Sequence, residues 1–459
     1  MAWVWRERLA SLMSSRSVRI ALLLLHLPIL LILIAKTEPW LTGDSSRYLA
    51  LSESLKKGQG YGLESGATFE LEGWRMPGYP AFITLCQVLL GGGSFSVIIV
   101  QSVLFLISVW VVWAVTDKTL GRESGLVFLA LSAVYPFVAY NVGQVSPEIP
   151  AVFLIVLALY CLLRPTLLRH AMAGGLLGAT GYFRPNLFPL GLAVAVALVL
   201  ANKRSYRRAI VLVLAVVVVA LPWAARNYLV FGKISPMPAC TAGAGHSLLL
   251  ATWQARVSSY SLIEYGMKGK ATTELESSGM IEQIQALNLQ LGMPPDTISV
   301  TPESYPGNEK KAQADRLFAE AAFKNIKAWP LVYLRSAAVN APRLWFSAYF
   351  PKSLPPAVRI GFVLFGLLTL LLGVVGMFFA ARRDSIAHNR EAVFAAIGGI
   401  LYLTASLCWF HTEARYTIPL RLIFLTFAAY GLTQLLKPVL ATSNISAAQV
   451  TRVTTKAQA

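Results

Sequence analysis

Four stretches of this chain, Ile20–Ala35, Ala209–Ala225, Ile360–Ala381 and Ala392–Phe410, hold no Asp, Glu, Lys or Arg. A helix rises about 1.5 Å per residue, so crossing the roughly 30 Å hydrocarbon layer of a bilayer takes about 17 to 25 apolar residues. The runs reach or approach that length. Charged residues make up only 14% of the 459, against about 25% in ordinary soluble domains. The expected fold class is therefore an all-α polytopic membrane protein.

The net charge of +18 could point to nucleic acid, but position decides. Arginine and lysine gather in the N-terminal segment, at Lys118 and Arg122, at Arg164 and Arg169, from Lys203 to Arg208 and from Arg382 to Arg390. Every second connection is basic, which is the positive-inside pattern and argues for membrane lipids, not nucleic acid, as the surroundings. The first apolar run follows Arg6, Arg8, Arg16 and Arg19, yet "LILIAKTEPWL" offers no small-x-small cleavage site, so a retained first helix is expected.

Alternating the sides predicts ten spans, at 19–36, 96–116, 124–142, 148–163, 171–183, 186–201, 209–226, 357–381, 391–410 and 415–436, with both termini cytoplasmic. The fifth and sixth share only the turn "FRPN". The chain divides into an N-terminal transmembrane module (1–226) whose first external loop is 37–95, an external segment (227–356), C-terminal helices (357–437) and a cytoplasmic tail (438–459). Nine basic and nine acidic residues balance between Tyr228 and Trp329, as suits an external segment. In the first loop, "RYLALSESLKKG" and "GYPAFITLCQVLLGGG" have helical spacing but are too polar or too short to span, so they are expected along the interface. "ADRLFAEAAFKNIKAWP" sets Phe318, Ala322, Ile326 and Trp329 on one helical face. The following "LVYLRSAAVNAPRLWFSAYFP" is broken by Arg335, Pro342 and Arg343 and is expected as a further interfacial helix.

Catalytic signatures of other classes are missing: no P-loop, HExxH, GxSxG or strand–GxGxxG–helix unit occurs, so no nucleotide cofactor is expected. Gly174, Gly175 and Gly178 of "AGGLLGATG" have small-xxx-small spacing for close helix packing. Cys86, Cys161, Cys240 and Cys408 form no CxxC pair; Cys240 and Cys408 could join outside, although separate thiols are the simpler reading. Charge near membrane depth is costly, and here most of it falls on one side. Asp44, Arg47 and Arg75 lie in the first external loop, Glu148 in "GQVSPEIP", Arg184 in "YFRPN", Arg226 and Asn227 at the end of the seventh span, and His411, Glu413 and Arg415 in "HTEARY". Each alone could be a solvated loop end, and Arg226 a snorkelling anchor. Together they offer carboxylates suited to a general base or a metal, and guanidinium forks matched to phosphate.

"GDSSRYLALSESLKKGQGY", "RMPGYP", "SPEIPAVFLIVLALYCLL", "GLLGATGYFRPN", "LPWAARNYLVFGKI" and "EARYTIPL" together resemble the membrane-embedded GT-C glycosyltransferases. The resemblance is to the bacterial branch related to dolichyl-phosphate-mannose protein mannosyltransferases and the lipid A aminoarabinose transferase. It implies a GT-C-like bundle of about ten transmembrane helices that moves a sugar from a polyprenyl-phosphate-linked donor to a protein, lipid or glycan acceptor, outside a bacterial inner membrane and by inversion. It implies Asp44 as the catalytic carboxylate, Glu148 as a second acid, and Arg47 and Tyr48 as the rest of a D-x-x-R-Y run. Arg75, Arg184, His411, Glu413, Arg415 and Tyr416 would meet donor phosphate or substrate, and a divalent cation near Asp44 and Glu148 is an option. Two other readings stand beside it: a transporter or flippase of lipid-linked precursors, which asks for polar residues along the helix middles, and a non-catalytic scaffold that binds through residues 227–356.

Overall fold

The computed structural model describes residues 16–35, 44–65, 68–91, 93–135, 137–240, 243–256, 278–296, 305–346, 355–382, 389–411 and 413–456. It is a bundle of helices with one two-stranded hairpin. The bundle contains α1 (Arg16–Leu24), α2 (Leu27–Ala35), α3 (Ser45–Lys56), β1 (Gly62–Ser65), β2 (Thr68–Leu71), α4 (Gly78–Leu90), α5 (Ser94–Thr119), α6 (Arg122–Val134), α7 (Phe137–Tyr140), α8 (Glu148–Cys161), α9 (Leu167–Phe183), α10 (Leu190–Ala201) and α11 (Tyr206–Phe231). After these come α12 (Ala244–Arg256), α13 (Met280–Gln290), α14 (Asn308–Ala328), α15 (Pro330–Phe346), α16 (Pro356–Arg382), α17 (Arg390–Leu407) and α18 (Ile418–Lys456).

Helices occupy all ten predicted spans, but not all are long. Among the described residues six are long and apolar enough to cross a membrane (17–35, 94–119, 203–231, 357–382, 390–407 and 414–437), and the bent pair α6 and α7 makes a seventh. α8, α9 and α10 have 14, 17 and 12 residues. At about 1.5 Å per residue α8 and α10 fall short of the roughly 30 Å hydrocarbon layer, and α9 stands at the lower limit of about 17 residues. The sequence reading placed three full spans there because apolar composition does not show where 3₁₀ turns end a helix; Pro185–Leu187 and Lys203–Ser205 form such turns beside α10.

The two stretches of the first loop with helical spacing form helices, α3 and α4. The hairpin between them was not anticipated: Gly62 pairs with Leu71 and Ser65 with Thr68. α14 carries the expected amphipathic face, with Phe318 and Ala322 buried in a small core with Trp253, Ile284 and Tyr305. Ile326 and Trp329 are only partly buried. All four cysteines are free thiols, so Cys240 and Cys408 do not pair.

The glycines of α9 do the packing their spacing predicts. A Cβ on Gly174 would lie 2.1 Å from the carbonyl oxygen of Leu212 in α11, and one on Gly178 would lie 3.1 Å from Val219, whereas around Gly175 nothing lies within 4 Å. Gly174→Leu should therefore lower stability by about 1–3 kcal/mol through overpacking, while Gly175→Leu should be neutral. Thermal unfolding of the two variants in detergent reads the difference.

Candidate active site

The loop residues named above are brought to one end of the bundle by buried hydrogen bonds. Ser45 Oγ, at the start of α3, donates to the carbonyl of Val145 at 2.8 Å and so seats Asp44 beside the loop that begins α8. Gln101 of α5 supports that loop, donating to the carbonyls of Val142 and Gln144 at 2.8 and 2.9 Å while accepting from Tyr79 at 3.0 Å. The start of α3 is thus tied to the loop before α8, and that loop and α4 are tied to α5.

Asp44 lies between two guanidiniums. Arg75 Nη2 donates to Oδ1 at 2.7 Å, and Arg415 Nη1 stands 3.2 Å from Oδ2. Arg75 is itself flanked by the Trp74 ring at 4.1 Å and the Tyr48 ring at 5.4 Å. Arg415 also pairs with Glu413, and Arg184 with Glu148, while the Arg184 guanidinium sits 5.4 Å over the Tyr416 ring. Asp44, Glu148, Arg75, Arg184, Glu413, Arg415 and Tyr416, scattered over 370 residues of sequence, therefore form one charge cluster. Exposure separates the two acids expected to be catalytic. The Asp44 side chain is 26% exposed and can be reached by a substrate; that of Glu148 is 0% exposed and meets Arg184 instead.

Glu72, which the sequence reading passed over, organises the loop that carries Arg75. Its Oε1 accepts from the backbone N–H groups of Trp74 and Arg75 at 2.7 and 3.0 Å, and its Oε2 accepts from Arg47 Nε and Nη2 at 2.9 and 2.6 Å. Arg47, expected at the donor phosphate, is engaged here. Alternating charge in "TFELEGWR" was the available signal, but nothing in it distinguishes Glu72 from Glu70. His246 of α12 was also missed; among the groups it senses are His411, Glu413, Arg75 and Asp44. His411 donates its backbone N–H to the carbonyl of Ser247 at 2.9 Å. Arg226, read as an anchor, sits among the rings of Trp223, Phe231 and Tyr61 at 4.6, 4.9 and 5.9 Å.

Burial alone would raise the Asp44 carboxyl, but Arg75, Arg415 and Arg184 outweigh it and hold it below the ordinary 3.8. A depressed carboxylate contributes stability that is present above 3.8 and lost as pH falls through the lowered value. Glu413 is likewise raised by burial and lowered further by Arg415 and His411, with a net downward shift. Burial lowers His411 and pushes His246 down to about 4, so both imidazoles are neutral at pH 7. If Asp44 is the base, the acid limb of kcat/KM, which reports the free enzyme, should lie below pH 3.8.

The residues do not fit the optional cation. Among the described residues no three His, Cys, Asp or Glu side chains cluster, and the open acid Asp44 is bound by arginines. A cation there would have to displace a guanidinium, so no step is derived through a metal.

Residues 75–225 match the family model of the dolichyl-phosphate-mannose-protein mannosyltransferases. The matched third of the chain includes Arg75, Glu148 and Arg184 but not Asp44. No curated protein sequence matches the chain significantly. Its fold is similar to that of the Archaeoglobus fulgidus oligosaccharyltransferase solved with zinc and sulfate, at a TM-score of 0.50 and 13% identity, over 94% of this chain and 51% of that one. Weaker similarity links it to the same archaeal enzyme with an inhibitory peptide and a dolichol-phosphate (TM-score 0.49, 12% identity, 92% and 52% covered). It also links it to ArnT from Cupriavidus metallidurans bound to undecaprenyl phosphate (TM-score 0.41, 11% identity, 91% and 78% covered). The chain spans about half the length of the archaeal oligosaccharyltransferases it matches. The architecture is that of a polytopic helical membrane protein, similar in fold to the archaeal oligosaccharyltransferase.

Proposed function

We propose that this chain is a membrane glycosyltransferase that moves a sugar from a polyprenyl-phosphate-linked donor to an acceptor at the external face of the membrane, with Asp44 as general base. The observation that carries this reading is the open Asp44 carboxylate held between Arg75 and Arg415 at one end of a lipid-embedded bundle. The family match supports the donor class, since those enzymes are named for a polyprenyl-phosphate sugar. The charge distribution supports the sidedness. At the opposite end of the bundle Arg208 and Ser205 bind Glu391 at 2.5 and 2.6 Å, and Asn389 binds the carbonyl of Lys118 at 3.0 Å. That end gathers the basic connections expected in the cytoplasm.

The chemistry follows from charge balance. A donor phosphodiester brings one negative charge and competes with Asp44 for the guanidiniums of Arg75 and Arg415. As they turn to the phosphate, the carboxylate loses its stabilising partners and gains proton affinity. Asp44 then accepts the proton of the acceptor nucleophile, whose oxygen forms the new bond to the anomeric carbon as the bond to the phosphate oxygen breaks on the opposite face. The departing lipid phosphate stays with the arginines, which stabilise the charge that develops on it. Glu148 acts through Arg184, fixing a third guanidinium near the site.

The test compares the envelope lipids, glycans and glycoproteins of cells carrying the native chain with those of cells carrying Asp44→Asn at equal protein level. The reading expects the variant to accumulate a polyprenyl-phosphate sugar while one glycoconjugate loses that sugar. Matching profiles, under conditions where deleting the chain changes them, would refute Asp44 as the base.

A further inference from the structure

One wall of the cluster comes from the long external segment, through residues 239–240 and 243–247. Cys240 N–H donates to the carbonyl of Gly73 at 2.9 Å, a Cβ on Gly243 would stand 3.6 Å from the Trp74 indole nitrogen, and Ser247 accepts from His411 at 2.9 Å. The stretch is therefore laced to the loop of Arg75 on one side and to the loop of Arg415 on the other. His246 lies between these anchors, in the first turn of α12. Its backbone N–H is held by Asp315 Oδ1 at 3.0 Å. Gly245 allows that approach, because a Cβ there would sit 1.9 Å from the Asp315 carbonyl oxygen.

The imidazole is half-buried, and the groups it senses are those of the reaction centre: His411, Glu413, Arg75 and Asp44. Being neutral at pH 7, the ring presents one N–H donor and one lone pair and no charge. The arginines of the cluster already have anionic partners: Arg75 and Arg415 hold Asp44, Arg415 also holds Glu413, and Arg184 holds Glu148. A second anion entering beside a donor phosphate would face Asp44 and Glu413 at close quarters, which like-charge repulsion opposes.

Resting on the glycosyl-transfer reading, we propose that His246 is an acceptor-positioning residue and that the acceptor it positions presents a neutral hydroxyl, on a glycan or a Ser/Thr side chain, not a phosphate. The imidazole hydrogen-bonds the acceptor and neither gains nor loses a proton over the step. The nucleophile's proton goes to Asp44, and the electron pair of the broken bond leaves on the lipid phosphate.

The experiment uses the full chain and four forms at equal level in cells: native, His246→Ala, His246→Gln and Asp44→Asn. Envelope mass spectrometry reads transfer and linkage. Undecaprenyl phosphate titrated into each purified protein in lipid nanodiscs reads the donor side. His246→Ala should lower the sugar on the glycoconjugate at least tenfold, His246→Gln should restore part of it by supplying a neutral hydrogen-bonding group, and both should bind undecaprenyl phosphate within twofold of native. The sugar should be attached to a hydroxyl oxygen. The proposal is overturned if His246→Ala transfers like native, if either variant loses undecaprenyl phosphate binding, or if the sugar is found on a phosphate. If Asp44→Asn removes the product and His246→Ala keeps it, this inference alone fails; if Asp44→Asn also changes nothing, the transferase reading fails.

Discussion

Asp44→Asn is expected to lower turnover by roughly 10²- to 10⁴-fold, the usual contribution of a general base, while undecaprenyl phosphate binds at least as tightly as it does to the native chain. The two halves of this prediction have one cause. Asp44 pairs with Arg75 and Arg415; on the proposed reading the incoming phosphate competes for them, so removing the Asp44 charge deprives the acceptor of a base and frees both guanidiniums for the lipid. A transporter would respond differently, since a neutral residue at an arginine-lined anion site alters affinity without a turnover loss confined to glycosyl transfer. Single-turnover kinetics beside a binding titration separates these outcomes. Loss of lipid binding in Asp44→Asn would show that the carboxylate organises the site and is not in competition with the substrate.

The second large effect is expected at Glu72. Its side chain is 0% exposed and binds two backbone N–H groups and the Arg47 guanidinium. Glu72→Ala would strand a largely buried cation and two donors, a loss of about 3–5 kcal/mol when one partner of a buried pair is removed. Because those donors belong to Trp74 and Arg75, transfer should fall with stability. Glu72→Gln keeps an acceptor for the backbone and loses only the charge, so its cost should be smaller, about 1.5–3 kcal/mol. Thermal unfolding and undecaprenyl phosphate binding of the two variants check this. Equal stability in Glu72→Ala and native would show that the loop is held by something else.

What could be read in advance followed physical distance along the chain. Asp44, Arg75, Glu148, Arg184 and Arg415 were singled out because they are charges that fall on one side of the predicted spans, where charge near membrane depth is conspicuous, and Asp44 was given its role by the family resemblance. Glu72 and His246 were not, because both lie in polar segments where a charged or imidazole side chain is unremarkable, and their significance comes from partners 25 and 69 residues away, Arg47 and Asp315. Arg421, by contrast, stands inside an apolar run, where its charge was conspicuous, and was passed over all the same. Its nitrogens are met by Thr417, Tyr135 and the Leu344 carbonyl, and the side chain is 2% exposed, so it ties α18 to α15 and to Tyr135, the residue that follows α6.

The sequence by itself determined the solvent, the sidedness expectation and the helical periodicity, because the transfer cost of each side chain and the spacing of apolar residues are local properties. It also determined that α9 would pack closely, since glycines at i and i+4 share a face. The tertiary structure alone decided which carboxylate is open and which is buried, that Arg47 serves Glu72, and that a wall of the cluster comes from residues 239–240 and 243–247. Those outcomes depend on ion pairing between segments tens to hundreds of residues apart, where several arginines compete for a few acids. Which pairs form is settled by backbone approach and desolvation in the folded bundle, and neither is a property of any one stretch of chain.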